Sequence, residues 1–247
     1  MQRWTTSYRF TWTPIVTFAR RQLKFLDWIE ANLDPVSFYD REGTTGVAIL
    51  SRDIRLTVSR SGMVLEDGAA LEAGVGVLRE AVAGALGVLE PKDLRLKSGS
   101  VAWSEGLAGL PYNEARAGLS RLMSGIDLSS DVPVPVDISA LMDVLTPEYS
   151  GQVEWGVVSA EELVDRLARP PIGRIATNRP EASAAAIHPD ELPEASVFVD
   201  STFSSLAPEN IQDAEGVMNA VADIDSVSNK LATALYAQIT KNLRGKQ

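Results

Sequence analysis

The sequence predicts an α+β fold in which an antiparallel-rich sheet carries helices packed on one face and ends in a long helical segment. Short alternating segments rich in β-branched and aromatic residues are separated by turn residues, as strands of an antiparallel sheet are. Two segments of the first ninety residues, and residues 209–243, repeat apolar side chains every three or four positions. Strands and helices that do not alternate regularly favour this class over a parallel α/β sheet.

The first half is predicted to open in the order β-α-β-β-β-α-β. Two segments have helical spacing, 15–33 ending at Asp34 and Pro35, and 69–90 ending at Pro91. Five segments alternate or are rich in strand-forming residues: 7–12, 36–39, 45–50, 54–66 and 93–103.

Four glycines interrupt the helix predicted over 69–90: Gly74, Gly76, Gly84 and Gly87. Glycine inside a helix costs about 1 kcal/mol relative to alanine. We therefore expect these positions to allow the close approach of a sheet or of a second helix.

The second half contains fewer regular patterns. Ser159 and Glu162 have the spacing of a capping box at the start of a short helix. Residues 209–243 form either two helices or one helix kinked at Asp225 and Ser226. The other predicted elements are a helix over 112–125, strands over 150–158 and 195–203, and a proline-rich loop over 169–194.

The extended segment 129–137 contains two prolines and is the candidate boundary between two parts of the chain. This predicts an N-terminal α+β unit over 1–128 and a C-terminal α+β unit over 129–247, with a single continuous domain as the alternative.

The acidic residues that give the chain its formal charge of −10 are concentrated in one segment. Residues 180–229 hold ten acids and no Lys or Arg, whereas elsewhere the acids equal Lys and Arg in number. Four arginines stand at the border of this segment: Arg166, Arg169, Arg174 and Arg179. They predict either ion pairs with the acids downstream, within the chain or across a subunit interface, or a site for a small phosphorylated or carboxylated ligand. In the ligand interpretation, Asp200 or Glu154 could act as a base.

Nine of the sixteen aromatic residues lie in the first 39 positions, with basic residues between them. Such a mixture is compatible with a protein core, with a protein interface, or with stacking on single-stranded nucleic acid. Trp4 and Trp12 are the candidate interface residues, and Trp4 is the one we expect to be more exposed.

Motifs for catalysis or metal binding are missing from the sequence. There is no cysteine, and His188 is the only histidine, which excludes thiolate sites and paired-histidine zinc sites. There is no phosphate-binding loop and no nucleophile elbow. We therefore predict no catalytic residue, no metal and no cofactor, and we expect no membrane span, since no apolar run is long enough.

These observations lead to a non-catalytic, cytoplasmic interaction protein that acts as a subunit or adaptor of a larger assembly. Its expected partners are another protein or further copies of itself, and nucleic acid is unlikely because of the acidic balance. The alternative is a binding protein or enzyme for a small phosphorylated or carboxylated ligand, held by the arginines of 166–179.

Overall fold

The computed structural model describes residues 1–33, 35–41, 44–49, 54–67, 75–124, 138–168 and 188–244. The strands in these ranges are β1 (Gln2–Thr11), β2 (Pro35–Arg41), β3 (Thr44–Ile49), β4 (Ile54–Ser59), β5 (Gly62–Asp67), β6 (Arg95–Gly106), β7 (Ile138–Leu145), β8 (Tyr149–Ser159) and β9 (Ala195–Ser205). The α-helices are α1 (Phe18–Asn32), α2 (Val75–Leu89), α3 (Tyr112–Ser124), α4 (Ala160–Ala168) and α5 (Ala214–Arg244), and Pro189–Glu191 form a 3-10 turn.

The strands form one sheet in the order β2-β3-β4-β5-β1-β6-β9-β8-β7, in which all neighbours are antiparallel. An antiparallel α+β fold with a long C-terminal helix is therefore confirmed. The structure adds one strand to the predicted opening, because residues 54–66 form the hairpin of β4 and β5 around Arg60 and Ser61. The burial pattern reveals this turn. The buried residues have even numbers in β4 (Leu56 and Val58) and odd numbers in β5 (Met63 and Leu65), so the alternation is interrupted between the two strands.

The two faces of the sheet are covered to different extents. Helix α2 packs on β4, α3 on β8, and α5 on β6 and β9, while α1 packs against α2. Together they bury the main apolar core. Helix α4 packs on β8 and β9 through a separate small cluster of Val158, Leu163, Leu167 and Phe198. Because successive side chains of a strand point to opposite faces, Val158 and Phe198 face away from the main core, to which Val157 and Val197 belong.

The predicted halves share this sheet. Strand β6 of the first half pairs with β9 of the second over Ser98–Gly106, and α5 lies on β6. The candidate boundary at 129–137 lies outside the described residues, so the division into 1–128 and 129–247 stays a prediction. Within the part of the chain that is described, no helix combines the length and apolar character needed to cross a membrane.

A set of polar contacts holds α5 against the sheet. The guanidinium of Arg3 and the hydroxyl of Tyr8 both donate hydrogen bonds to the carboxylate of Asp225. One turn further, the Trp103 indole donates to Ser228 Oγ at 2.7 Å, and Ser228 Oγ lies 2.5 Å from Ser201 Oγ. Asp225 is thus occupied by strand β1, and α5 runs through Asp225 and Ser226 as one 31-residue helix.

The glycines of α2 fall into two groups. A Cβ at Gly84 would overlap the indole of Trp28 on α1, so this glycine permits the close approach of the two helices. A Cβ at Gly76 or Gly87 would meet no atom within 4 Å. Gly74 lies outside the described residues. The expected close approach therefore occurs at Gly84 and not at Gly76 or Gly87.

We expect Gly84→Ala to lower the free energy of unfolding by about 1–3 kcal/mol, because the new methyl group forces Trp28 or α1 to shift. Gly87→Ala is the matched control, in the same helix but with open space around it. It should raise stability by up to about 1 kcal/mol through helix propensity. Urea denaturation of both variants measures the difference, and equal effects of the two substitutions would contradict this packing.

Tyr8 makes the stability of the fold depend on alkaline pH. Burial, followed by the negative charge of Asp225, raises the pKa of Tyr8 well above its usual value of 10.0. The unfolded chain therefore releases the phenol proton at a lower pH than the folded chain does. The contribution of Tyr8 to the free energy of unfolding should therefore be complete below about pH 10, and the free energy of unfolding should fall as the pH rises further. In Tyr8→Phe, this fall measured by denaturation at several pH values should be less steep, and an unchanged slope would show that Tyr8 does not cause it.

Candidate functional site

Strands β7, β8 and β9 form a groove of about 500 Å³ on the face of the sheet opposite the main core. We call it the β7–β9 groove. It extends from Glu154 and Asp200 to Leu145 and Ser204. Helix α4 borders its first end, where Arg166 contacts Glu154. β7 is an edge strand, so the groove lies at one margin of the sheet.

Strand register places the groove side chains in three rows. Leu141 lies opposite Glu154, which lies opposite Asp200. Residues directly opposite each other on one face of a sheet have Cβ atoms about 5 Å apart, so each row is a set of neighbours. The second row is Asp143, Gln152 and Thr202, and the third is Leu145, Ser150 and Ser204.

Carboxylates dominate the charge of the groove. Asp143, Glu154 and Asp200 line it, and none of its described lining residues is basic. The Gln152 amide donates to Asp143 Oδ1 at 3.2 Å. Glu154 is only 18% exposed and receives the guanidinium of Arg166 from α4. The adjacent carboxylates of Glu154 and Asp200 can accept hydrogen bonds from amines and hydroxyls.

Arg166 is the one member of the predicted arginine set in the described part of the chain. Its Nη1 lies 2.6 Å from Glu154 Oε1, and its Nε lies 3.3 Å from Glu162 Oε1. Its guanidinium carbon lies 4.5 Å from the centre of the Phe198 ring. Both ion-pair partners precede Arg166 in the chain, so neither belongs to the acidic segment downstream. Because Glu154 lies on β8, its ion pair with Arg166 anchors α4 on the sheet. Arg169, Arg174 and Arg179 lie outside the described residues, and their role stays a prediction.

Glu162 also supports the start of α4. Its backbone N–H donates to Ser159 Oγ at 3.2 Å, which is the capping contact that the spacing of Ser159 and Glu162 predicts. Helix α4 is therefore fixed at its start by this cap and near Glu154 of the groove by the ion pairs of Arg166.

The two candidate interface tryptophans occupy different surroundings. Trp12 is 4% exposed in the main core, and its indole donates to the Arg60 carbonyl at 3.1 Å. Trp4 is half-buried on the opposite face, where it packs against the Phe198 cluster and donates to Ser104 Oγ at 2.6 Å. Only Trp4 thus has appreciable surface available to another molecule.

The acids of 180–229 have separate roles in the structure. Asp200 lines the groove, and Asp225 holds α5 against β1. Asp213 Oδ1 accepts from the Gly216 backbone N–H at 2.8 Å near the start of α5, and Glu215 pairs with Arg79 at 3.5 Å. His188 is exposed, and the described residues contain no group of three or more His, Asp or Glu side chains placed to hold a metal ion.

Sequence reasoning missed the groove because it missed β7. Residues 138–145 have apolar side chains on both faces, which hides the alternation of a strand. In the structure Met142 and Val144 pack on the main core, whereas Leu141 and Leu145 are 58% and 76% exposed beside the groove. Asp200 and Glu154 are distant in the chain, and only the register of β8 and β9 makes them neighbours.

No protein-family model matches the chain, and no curated protein matches it. Among solved structures, the chain is similar to the rolling circle replication initiator protein from Geobacillus stearothermophilus, with 10% sequence identity. The match covers 91% of this chain and 79% of that one, with a TM-score of 0.33.

This neighbour contradicts two predictions made from the sequence. A non-catalytic interaction protein, acting as subunit or adaptor, conflicts with a replication initiator, and so does the statement that nucleic acid is an unlikely partner. Neither prediction is kept. The superposition is also too loose to support the reverse, so no activity, substrate or residue role passes from that protein to this chain.

Proposed function

We propose that this protein binds a small, positively charged ligand with several hydrogen-bonding groups in the β7–β9 groove. The observation that carries the proposal is the composition of the groove, in which Asp143, Glu154 and Asp200 lie beside one guanidinium of the described residues, that of Arg166. An amine bound here replaces water with carboxylate acceptors, and an anion would meet repulsion from the same groups.

The uncharged side chains of the groove define the rest of the ligand. Gln152, Ser150, Thr202 and Ser204 offer an amide and three hydroxyls, each able to donate and accept. Leu141 and Leu145 add apolar surface along the outer margin. A hydroxylated ring with an amino group matches this combination, because its hydroxyls face the polar floor and its carbon skeleton contacts the leucines.

The groove is open to solvent, which limits the strength of each charge interaction. A pair of unit charges 4 Å apart contributes about 1 kcal/mol in water and about 4 kcal/mol near a protein surface of lower effective dielectric. We therefore expect the charge of the ligand to change its affinity several-fold, and we expect added salt to weaken binding.

Cytoplasmic location stays part of the proposal, supported by the lack of cysteine.

Three sugars that differ mainly in charge test the proposal. Glucosamine is positive, glucose neutral and glucose 6-phosphate negative. In titrations followed by the backbone amide signals of β7–β9, affinity should decrease in that order. A preference for the phosphate, or equal affinity for all three, would overturn the proposal.

Asp143→Asn should weaken glucosamine binding about fivefold, as expected from losing roughly 1 kcal/mol of charge interaction. The matched control is Asp27→Asn, which removes the same charge from an exposed position on α1, across the sheet. It should leave affinity unchanged. A single-stranded DNA oligonucleotide is titrated in the same way. Saturable binding of the oligonucleotide in the groove would contradict a cationic ligand and would indicate nucleic acid instead.

A further inference from the structure

A second pocket lies on the same face of the sheet, between the start of β1, the end of β6 and the Pro189–Glu191 turn. It has a volume of about 350 Å³. Its floor contains Ser104 and Ser196, and its sides contain Trp4, Leu192, Glu105 and Glu191. None of these residues lines the β7–β9 groove, so binding here is independent of the proposed function.

Ser196 is the polar group that points to a ligand. It is 1% exposed, lines the pocket from β9, and its Oγ has no hydrogen-bond partner among the described residues. Leaving a buried hydroxyl unsatisfied costs about 1–3 kcal/mol. Native structures rarely tolerate this without a reason, and a bound group that reaches the hydroxyl is one such reason.

The neighbouring Ser104 does not fill this role. Its Oγ is engaged by the Trp4 indole, which donates to it at 2.6 Å. That hydrogen bond also holds the Trp4 ring against the pocket in one orientation. The aromatic ring of Trp4 thus lines the same pocket as the unsatisfied Ser196 hydroxyl.

The rim of the pocket carries two carboxylates, one of which is paired with an ammonium group. Glu191 is exposed on the 3-10 turn, and Glu105 is 41% exposed at the end of β6, where its carboxylate lies 3.1 Å from the Met1 amino nitrogen. None of the described lining residues is Lys or Arg. Carboxylates beside a tryptophan ring form the combination that recognises organic cations, through charge and cation–π attraction.

We propose that this pocket binds a primary ammonium or guanidinium group. In the complex, an N–H of the cation donates to Ser196 Oγ, the Trp4 ring contacts the cation, and Glu191 supplies the opposite charge. The requirement for an N–H is specific: a quaternary ammonium has the charge but cannot satisfy Ser196.

Two probes of equal charge separate these contributions. Methylguanidinium has N–H groups, and tetramethylammonium has none. The readout is the set of indole N–H signals of the five tryptophans, in which the Trp4→Phe variant identifies the signal of Trp4. Methylguanidinium should shift the Trp4 signal saturably and bind at least threefold more tightly than tetramethylammonium.

Ser196→Ala should remove the preference for methylguanidinium over tetramethylammonium. Because the substitution deletes an unsatisfied buried hydroxyl, the variant should be at least as stable as the parent, and its urea midpoint checks that it folds. Glu191→Gln should weaken both probes severalfold. Asp190→Asn is its matched control, since Asp190 is exposed on the same turn but does not line the pocket.

Three results would overturn the proposal. The first is a Trp4 signal that does not saturate with methylguanidinium. The second is equal binding of the two probes to the parent protein. The third is equal weakening by Glu191→Gln and Asp190→Asn, which would mean that only the overall charge attracts the probes. None of these results bears on glucosamine binding in the β7–β9 groove.

Discussion

The pairing of β6 with β9 is the constraint on which the rest of the structure depends. It joins strands that lie about a hundred residues apart in the chain and makes one sheet from the two halves of the sequence. Helix α5 then lies over this junction, where Trp103 of β6 and Ser201 of β9 both contact Ser228. The main core and the opposite face, which holds the groove, are both consequences of this pairing, because it brings β8 and β7 into the same sheet as β1.

The unequal cover of the two faces explains where binding can occur. Of the described helices, four bury one face, whereas α4 packs on the other face near β8 and β9. Its anchor is Arg166, which contacts Glu154 at the border of the β7–β9 groove and stacks over Phe198, whose cluster includes Trp4. The groove and the second pocket, which Trp4 and Ser196 line, therefore depend on the same short helix, although they share no lining residue.

The acidic segment shows how a charge pattern can mislead when it is taken as a single surface. In the chain the acids of 180–229 follow a group of arginines, which suggests that the two face each other. In the structure Arg166 pairs with Glu154 and Glu162, both outside that segment. The described acids are instead distributed over three places: the β7–β9 groove, the contact between α5 and β1, and the start of α5. Each side chain points in the direction set by its own strand or helix, so acids that are close in the chain need not share a surface.

The sequence by itself determined the elements whose patterns are local. Amphipathic spacing was enough for α1 and for the helical character of the C-terminal segment, although it left open whether α5 is one helix or two. The capping pair Ser159 and Glu162 was enough for the start of α4, because it depends on residues within one turn. The turn at Arg60 and Ser61 was also within reach of the sequence, as a reversal of the alternation between buried and exposed positions.

Only the tertiary structure decided the candidate sites. Nothing near Glu154 in the chain indicates that Asp200 lies opposite it, and β7 carries apolar residues on both faces, so its position could not be read from its own sequence. Likewise, Ser196 is an ordinary strand residue until its hydroxyl is found buried beside Trp4 without a partner among the described residues. Sites of this kind arise from long-range strand pairing, whose register is set by packing across the whole sheet and not by local spacing.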